Sequence, residues 1–295
     1  MTAKFSINSC EALGVLNTVL IASTRSYHVP QLHGPLSIKA VFSGSAVVAV
    51  ENRTLLAQDN SFIVVNDGQP YAFTVDSLHP TTMFCVFFAR GFVEDVWRTT
   101  ITPDSKLLDN WNVEKASFTP RYFERVEVQT ASILPSLHQL RRLVSSKSLT
   151  RARWEESFIR VATELVHSEQ QVHRRMNEIP AMKDSTRREI CRRLMRGRDF
   201  LLSFASESLR LDDVARHACL SSYHFHRAFT RFFGKTPHRF LSDYRLSRIA
   251  TQLRHTRRSA TELCLENGFE SFPSFSRLFR HRYGMSPREY RRTNR

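Results

Sequence analysis

Two arginines, Arg227 and Arg277, occupy equivalent places in a motif that the chain contains twice, fifty residues apart. The first copy, residues 225–237, reads FHRAFTRFFGKTP, and the second, residues 275–287, reads FSRLFRHRYGMSP. A guanidinium group keeps its charge and presents its N–H groups as a planar fork, which suits paired hydrogen bonds to a phosphate or to guanine O6 and N7. The repeated arginines therefore predict recognition of a nucleic acid rather than covalent chemistry.

Each copy has the spacing of a helix with one apolar face and one charged face. At about 100° per residue, the two arginines fall on the side opposite the apolar residues. The apolar sides are predicted to hold Phe225, Ala228, Phe229, Phe232 and Phe233 in the first copy, and Phe272, Phe275, Leu278, Phe279 and Tyr283 in the second. Arg282 falls near the apolar side and is expected to extend to a phosphate or to water at the domain edge.

A shorter helical segment and a tight turn precede each copy, in DDVARHACLS and in TELCLENGFES. A short helix, a turn and a second helix form the helix-turn-helix layout, whose second helix can enter the DNA major groove. Ser221 and Ser271 are the predicted N-caps of the second helices. Residues 237–256 predict one long helix of about 27 Å, beginning at Pro237. The sequence thus predicts an all-α domain of two helix-turn-helix units joined by a long helix.

The positive charge of the chain is concentrated in the same half. Residues 179–295 hold 25 Lys and Arg against 11 Asp and Glu, and 23 of the 25 are arginine. Residues 1–178 are nearly balanced, with 18 basic against 17 acidic residues. Arginine concentrated in one domain favours a phosphate-bearing partner over a merely solvated surface.

The first half of the chain has a β-rich pattern. Six segments between about residues 27 and 92 are separated by turn residues: IKAVF, AVVAVE, TLLA, SFIVV, YAFTV and MFCVFF. Strands at this spacing predict a small barrel or sandwich. Residues 120–178 show helical spacing with an apolar stripe, formed by Trp154, Phe158, Val161, Leu165, Val166 and Val172. The stripe fits closure of the first domain's core and equally fits packing against a second subunit, which leaves a homodimer through residues 120–178 open.

The length of 295 residues favours two domains, predicted as 1–178 and 185–295 with a linker in 177–189. The chain has no run of eighteen apolar residues, so no membrane span is expected. The stretch ALGVLNTVLIAS, residues 12–23, is interrupted by Asn17 and Thr18 and is expected to belong to the domain rather than to a signal peptide.

Cysteine and histidine usage gives little support to metal or redox chemistry. The five cysteines, Cys10, Cys85, Cys191, Cys219 and Cys264, are odd in number and never form C-x-x-C, which favours a reducing cytoplasm. His28, His33 and His79 lie in the β-rich half without an H-x-H followed by glutamate, so neither a metal nor another cofactor is expected. A metal-dependent enzyme remains the alternative that stoichiometric iron, zinc or manganese in the purified protein would favour.

Residues 185–292 resemble the DNA-binding module of the AraC-type transcription regulators. The resemblance rests on LDDVARHACLSSYHFHRAFTRFFGKTPHRFLSDYRLSRIATQL and on ATELCLENGFESFPSFSRLFRHRYGMSPREYRR. The segment LSIKAVFSGSAVVAVENRTLLAQDNSFIVVNDGQPYAF looks like the cupin-like sensing domain often found ahead of that module. This similarity implies an α+β protein with a cupin-like β-barrel and flanking helices. It also implies sequence-specific promoter binding with activation of transcription, RNA polymerase as a partner, and an effector or a second subunit at the first domain.

The resemblance implies base contacts from equivalent positions of the two helices: Ser222, Tyr223, His226 and Arg227, and Phe272, Pro273, Ser276 and Arg277. Phosphate contacts are expected from Ser221, Arg231, Lys235, Arg254, Ser271 and Arg280. Phe272 and Pro273 depart from the longer polar side chains frequent there, so the second helix is expected to rely more on DNA shape or thymine methyl groups.

Structural roles are the alternative for several of these residues. Arg227 and Arg277 have possible ion-pair partners in Asp213 and Glu270, and Tyr223 and His226 fit helix packing as well as DNA contact. A non-specific nucleic-acid-binding protein is the alternative for the domain as a whole. Within the barrel, the candidate effector-binding residues are Tyr27, Phe42, Phe73 and Phe84, which would serve equally well as core.

Overall fold

The computed structural model describes residues 13–51, 53–101, 122, 126–127, 132–146, 150–181 and 183–294. The chain divides into two compact units, Met1–Arg174 and Arg175–Arg295, a few residues before the predicted division. Cys10, Met182 of the predicted linker and much of 120–131 lie outside the described residues. Within the described part, no helix has the length and apolarity needed to cross a membrane.

The first unit is built on a nearly closed antiparallel β-barrel. Its strands are β1 Thr18–Leu32, β2 Ser37–Ser43, β3 Ser45–Val50, β4 Arg53–Gln58, β5 Ser61–Val65, β6 Tyr71–Phe87 and β7 Val126–Glu127. The strand order is β4-β3-β6-β2-β5-β7, and β1 pairs with β6. The spacing of the β-rich segments predicted a barrel or a sandwich, and the structure has the barrel.

Two of these strands differ from the prediction. YAFTV and MFCVFF were predicted as two strands because polar residues and Pro80 lie between them, but in the structure both belong to the single long strand β6. Thr24 pairs with Thr81 and Ser26 with Asp76, so residues 77–80 bulge out while both halves of β6 stay paired with β1. Pro80 lacks an N–H and is tolerated in this bulge. β1 begins at Thr18, upstream of the predicted strands, because the apolar stretch 12–23 supplies its first half.

Side-chain alternation gives the strands two buried faces. On the face inside the barrel, Lys39 of β2 pairs with Cys85 of β6, and Val41 pairs with Met83. The other face packs against the helices α1 Phe92–Ile101, α2 Ile133–Ser145 and α3 Arg151–Asn177. This core includes Ile38, Phe42, Phe84, Val93, Leu137, Leu140, Phe158, Val161, Leu165 and Val166. Phe158, Val161, Leu165 and Val166 of the predicted stripe are buried in this core, as closure of the first domain requires, and a homodimer through residues 120–178 stays a prediction.

The second unit contains seven helices among its described residues. They are α4 Asp184–Ser203, α5 Leu211–His217, α6 Ser222–Phe233, α7 Pro237–His255, α8 Ala260–Glu266, α9 Phe272–Tyr283 and α10 Pro287–Thr293. The pair α5 and α6 and the pair α8 and α9 have the short-helix, turn, long-helix order that the duplicated motif predicted. The long helix predicted over 237–256 is α7.

The repeated sequences GKTP and GMSP end one helix and begin the next. Gly234 and Gly284 adopt φ of +68° and +74° at the C-caps of α6 and α9, a left-handed conformation that favours glycine. Thr236 and Ser286 then cap the following helices by accepting the N–H of residues 239 and 289. Each proline stands at the first turn, where a missing N–H costs no helical hydrogen bond.

The apolar faces of α6 and α9 are anchored mainly by phenylalanine. Phe229 packs against Phe225, Phe233 and Phe240, with ring centroids 5.2, 4.3 and 5.5 Å apart. A Cβ on Gly197 of α4 would lie 2.3 Å from the Phe225 ring, so glycine allows α4 and α6 to approach closely. In the second copy the buried core includes Leu246, Ile249, Leu253, Leu263, Cys264, Phe275 and Phe279.

Candidate nucleic-acid interface and barrel cavity

Arg227 projects from the exposed side of α6, beside Tyr223 and His226. The Arg227 guanidinium has no hydrogen bond or ion pair with any described residue. Asp213, its alternative partner, instead lies 3.3 Å from Arg216. The Tyr223 side chain is 69% exposed, so it is not a packing residue of the helix pair. The first two turns of α6 thus present polar and aromatic groups to the outside.

The corresponding residues of α9 line one shallow surface groove, formed by Phe272, Pro273, Ser276 and Arg277 together with Arg280 and His281. Arg277 has no ion pair with Glu270 or with any other residue that the structure describes. Phe272 is 36% exposed, although the helical wheel placed it on the buried side. Phe272 is the first residue of α9, and its ring centroid lies 5.6 Å from that of Phe275. A helical wheel gives the direction of a side chain but does not show where along the helix the core ends.

The two predicted N-cap serines behave differently. The Ser221 side chain accepts the His224 backbone N–H, as expected for a cap. Ser271 occupies the N-cap position of α9, but its side chain makes no capping hydrogen bond. Pro273 removes one of the two backbone N–H groups that such a side chain can accept. Ser222 is also engaged, since its hydroxyl donates to the Asp212 carboxylate.

The residues predicted to contact phosphate fall into two groups. Arg231, Arg254 and Arg280 are exposed, and their guanidinium groups make no hydrogen bond or ion pair with a described residue. Lys235 is engaged, because its Nζ lies 2.5 Å from an Asp243 carboxylate oxygen. A phosphate contact by Lys235 stays a prediction, and it would require this side chain to leave Asp243.

Asp243 of α7 is the centre of a cluster of three cations. Lys235 follows α6, Arg239 lies on α7 at 3.3 Å, and Arg282 comes from the last turn of α9 at 3.2 Å. Arg282 also donates to the Asp243 carbonyl oxygen at 2.7 Å. Arg282 thus contacts a protein carboxylate rather than a phosphate or bulk water, which corrects the prediction. The Asp243 cluster connects segments of both helix-turn-helix units to the helix between them.

Asp243→Asn is expected to lower the free energy of unfolding by about 1–2 kcal/mol, because three cations then lose their shared carboxylate while part of the cluster stays hydrated. Urea unfolding at low salt provides the measurement. The matched control is Asp213→Asn, which removes one exposed ion pair and should change the stability by less than about 0.5 kcal/mol. If both substitutions lowered the free energy of unfolding equally, the contacts of the Asp243 cluster between the two helix-turn-helix units would not contribute to stability.

Arg245 of α7 forms a second connection. Its guanidinium donates to the carbonyl oxygens of Ala205 at 2.6 Å, Glu207 at 2.7 Å and Gly268 at 2.7 Å. Gly268 has φ of +80°, and a Cβ there would lie 2.9 Å from the Ser206 carbonyl oxygen. The loop before α5 and the turn before α9 therefore meet closely around one arginine.

The four candidate effector residues lie on two different faces of the barrel sheet. Tyr27 and Phe73 line a cavity of about 70 Å³ inside the barrel. Phe42 and Phe84 belong to the core between the barrel and the helices, because alternation directs them to the opposite face. These two do not line the cavity and are corrected to core residues. His28, His33 and His79 are exposed, and no group of three potential metal ligands occurs in the described residues.

Three further residues with notable contacts, Lys39, Asp243 and Arg245, were not predicted from the sequence. Two of them carried a signal. Asp243 is the only acidic residue between Asp213 and Glu262, and Lys39 interrupts the apolar strand IKAVF. The contacts of Arg245 join segments about forty and twenty residues away, and no local pattern indicates them.

Residues 214–293 match the family model described as a helix-turn-helix domain. The chain is 34% identical over 89 residues to the HTH-type transcriptional regulator ArgR of Pseudomonas aeruginosa, which covers 30% of this chain and 27% of that protein. It is 36% identical over 86 residues to the transposon Tn10 TetD protein of Escherichia coli, covering 29% of this chain and 62% of TetD. The chain therefore spans less than two thirds of the length of these relatives.

Among solved structures, the DNA-binding domain of AdpA in complex with a target DNA is similar to this chain. The two are 26% identical, with a TM-score of 0.33, over 34% of this chain and 90% of that one. The fold and the matched residues define the second unit as a double helix-turn-helix domain. The residues that match the family model lie within this domain, and the β-barrel unit precedes it in the sequence.

Proposed function

We propose that the chain is a sequence-specific DNA-binding transcription regulator whose helices α6 and α9 each present one arginine to base edges. The observation that carries this proposal is the state of Arg227 and Arg277. Both stand at the same position of the repeat, both are exposed, and neither has a partner among the described residues. An arginine held free on a recognition helix suits guanine O6 and N7 as a bidentate target.

Affinity in this proposal comes from the remaining exposed cations. Arg231, Arg254 and Arg280 contact phosphates and fix the register of the domain on the duplex without selecting sequence. Ser222 and Lys235 take part only after leaving Asp212 and Asp243. The groove on α9 presents Phe272 and Pro273, which suit thymine methyl groups, so α9 discriminates among fewer bases than α6.

The first unit has a regulatory role in this proposal. The family resemblance supports activation of cytoplasmic transcription through RNA polymerase, and the barrel cavity supports a response to a small effector. A promoter–reporter assay with and without the chain tests the sign of regulation. A metal-dependent enzyme is not favoured, because the exposed histidines of the barrel do not converge.

Arg227→Ala and Arg277→Ala are each expected to weaken binding to a specific site by about 1–3 kcal/mol and to relax base preference at one position. Genome-wide mapping of bound DNA with the wild-type chain supplies the sites, and footprinting at those sites measures the variants. Arg153→Ala changes an exposed arginine of the first unit and should leave the footprint unchanged.

Two results would count against this function. A footprint that does not change in either repeat variant would remove the base-reading role of these arginines. Equal affinity for mapped and random duplexes at physiological salt would instead identify a non-specific nucleic-acid-binding protein.

A further inference from the structure

Lys39 lies inside the barrel, in the middle of the sheet. It pairs with Ile63 of β5 on one side and Cys85 of β6 on the other, and only 3% of the residue is exposed. Its Nζ lies 3.7 Å from the centroid of the Phe87 ring and 5.0 Å from that of the Tyr71 ring. The side chain lines the barrel cavity, so the amine is covered by the barrel but reachable from the cavity.

The Lys39 ammonium has no counter-ion among the residues that the structure describes. Burial raises the pKa of the Tyr71 hydroxyl and of the Cys85 thiol, so both neighbours are neutral near pH 7. Burial lowers the pKa of Lys39 to about 8, which leaves the ammonium as the main form at pH 7. The two aromatic faces offset only part of the cost of burying a charge, and buried charges in proteins are normally paired.

The rest of the cavity wall is mostly apolar. Leu20, Ala22, Leu32 and Met83 line it, together with the rings of Tyr27 and Phe73. Its volume of about 70 Å³ corresponds to on the order of five water-sized groups. A molecule that fills this space must be short and largely apolar, and it satisfies Lys39 only if it carries a negative charge at one end.

We propose that the barrel cavity binds a short monocarboxylate, with its carboxylate paired to Lys39 and its apolar body against Leu20, Met83 and Phe73. Binding stands on the cavity alone, whereas the role of this ligand as an effector rests on the proposed regulatory function. A single cation, with hydroxyl and thiol donors nearby, matches one monoanion. A dianion such as a phosphate monoester would leave a second charge buried without a partner.

The experiment uses the full chain with linear monocarboxylates from propanoate to decanoate and the primary alcohols of matched length. Isothermal titration calorimetry measures binding, and thermal unfolding checks it. The expected result is an optimum at about four to six carbons, set by the size of the cavity, with alcohols binding at least tenfold more weakly. Lys39→Met should fold, because it replaces a buried charge with an apolar group of similar length, and should bind acids at least tenfold more weakly. Lys183→Met, which changes an exposed lysine, should keep the wild-type affinity.

Equal affinity for acids and alcohols, or an unchanged affinity in Lys39→Met, would overturn the assignment. Tightest binding of decanoate would overturn the size limit. If Lys39→Met does not fold, the comparison of acids with alcohols on the wild-type chain still decides. Binding to mapped promoter DNA is measured separately. If the chain binds this DNA but no carboxylate, only the carboxylate site in the barrel is rejected. If it binds a carboxylate but not this DNA, only the proposed function as a regulator is rejected.

Discussion

Replacing Phe279 by alanine is expected to lower the free energy of unfolding of the second unit by about 3–5 kcal/mol. The Phe279 ring is completely buried, with centroids 5.5 Å from Phe275, 4.6 Å from Tyr283 and 5.4 Å from Tyr290. Truncation leaves a cavity that these rigid rings cannot fill, so lost contacts add to lost burial. Phe229→Ala should have a similar effect, because Phe229 has the same place in the first copy and is equally buried.

Urea unfolding, monitored by circular dichroism, measures the free energy of unfolding of both alanine variants. Leu265→Ala is the matched control, since Leu265 belongs to the same unit but is 58% exposed. It should shift the stability by no more than about 0.5 kcal/mol. If Phe279→Ala or Phe229→Ala unfolded like the wild-type chain, the assignment of the buried side of these helices would be wrong.

Arg245→Met is expected to destabilise the second unit by about 2–4 kcal/mol. Methionine keeps most of the apolar stem but removes the three hydrogen bonds to the carbonyl groups of Ala205, Glu207 and Gly268. The half-buried position leaves some of these carbonyls accessible to water, which keeps the loss below that of three fully buried charged hydrogen bonds.

The neighbouring Arg248 provides the control for Arg245. Its only described hydrogen bond is a 3.4 Å contact with the Ser206 hydroxyl, so Arg248→Met should have an effect below about 1 kcal/mol. Hydrogen exchange should also report faster opening of the segments around residues 205–207 and 268 in Arg245→Met. A similar loss of stability in both variants would attribute the effect to the helix rather than to the three carbonyl contacts.

The helical half could be predicted because its motif occurs twice in the chain, so that the two copies can be compared with each other. Two copies at a fixed spacing place Phe229 and Phe279, and Arg227 and Arg277, at the same positions of the same layout. The barrel was predictable as a class, but the length of β6 was not. Pro80 indicated a turn, whereas the pairing of β6 with β1 on both sides of the bulge is a tertiary property.

Site residues on the exposed faces of helices could be predicted from the sequence, whereas those with contacts inside the protein were harder to predict. Exposed arginines follow from periodicity alone. Asp243 contacts Arg282, thirty-nine residues further along the chain, and no local pattern indicates that pair. Lys39 alternates with Ile38 and Ala40 in β2, but both faces of that strand are buried, so alternation could not identify which face surrounds a cavity.

The Asp243 cluster also affects how binding should respond to ionic strength. The second half of the chain has 25 basic residues, yet Lys235, Arg239 and Arg282 share one carboxylate in the free protein. Each phosphate that a cation neutralises contributes about −0.9 to the slope of log K against log salt through counterion release. A cation held against Asp243 must leave that carboxylate before it can neutralise a phosphate, so these three residues should contribute less to the slope than unpaired cations do. The measured slope should therefore follow the few unpaired arginines around α6 and α9, and should be much shallower than the arginine content suggests.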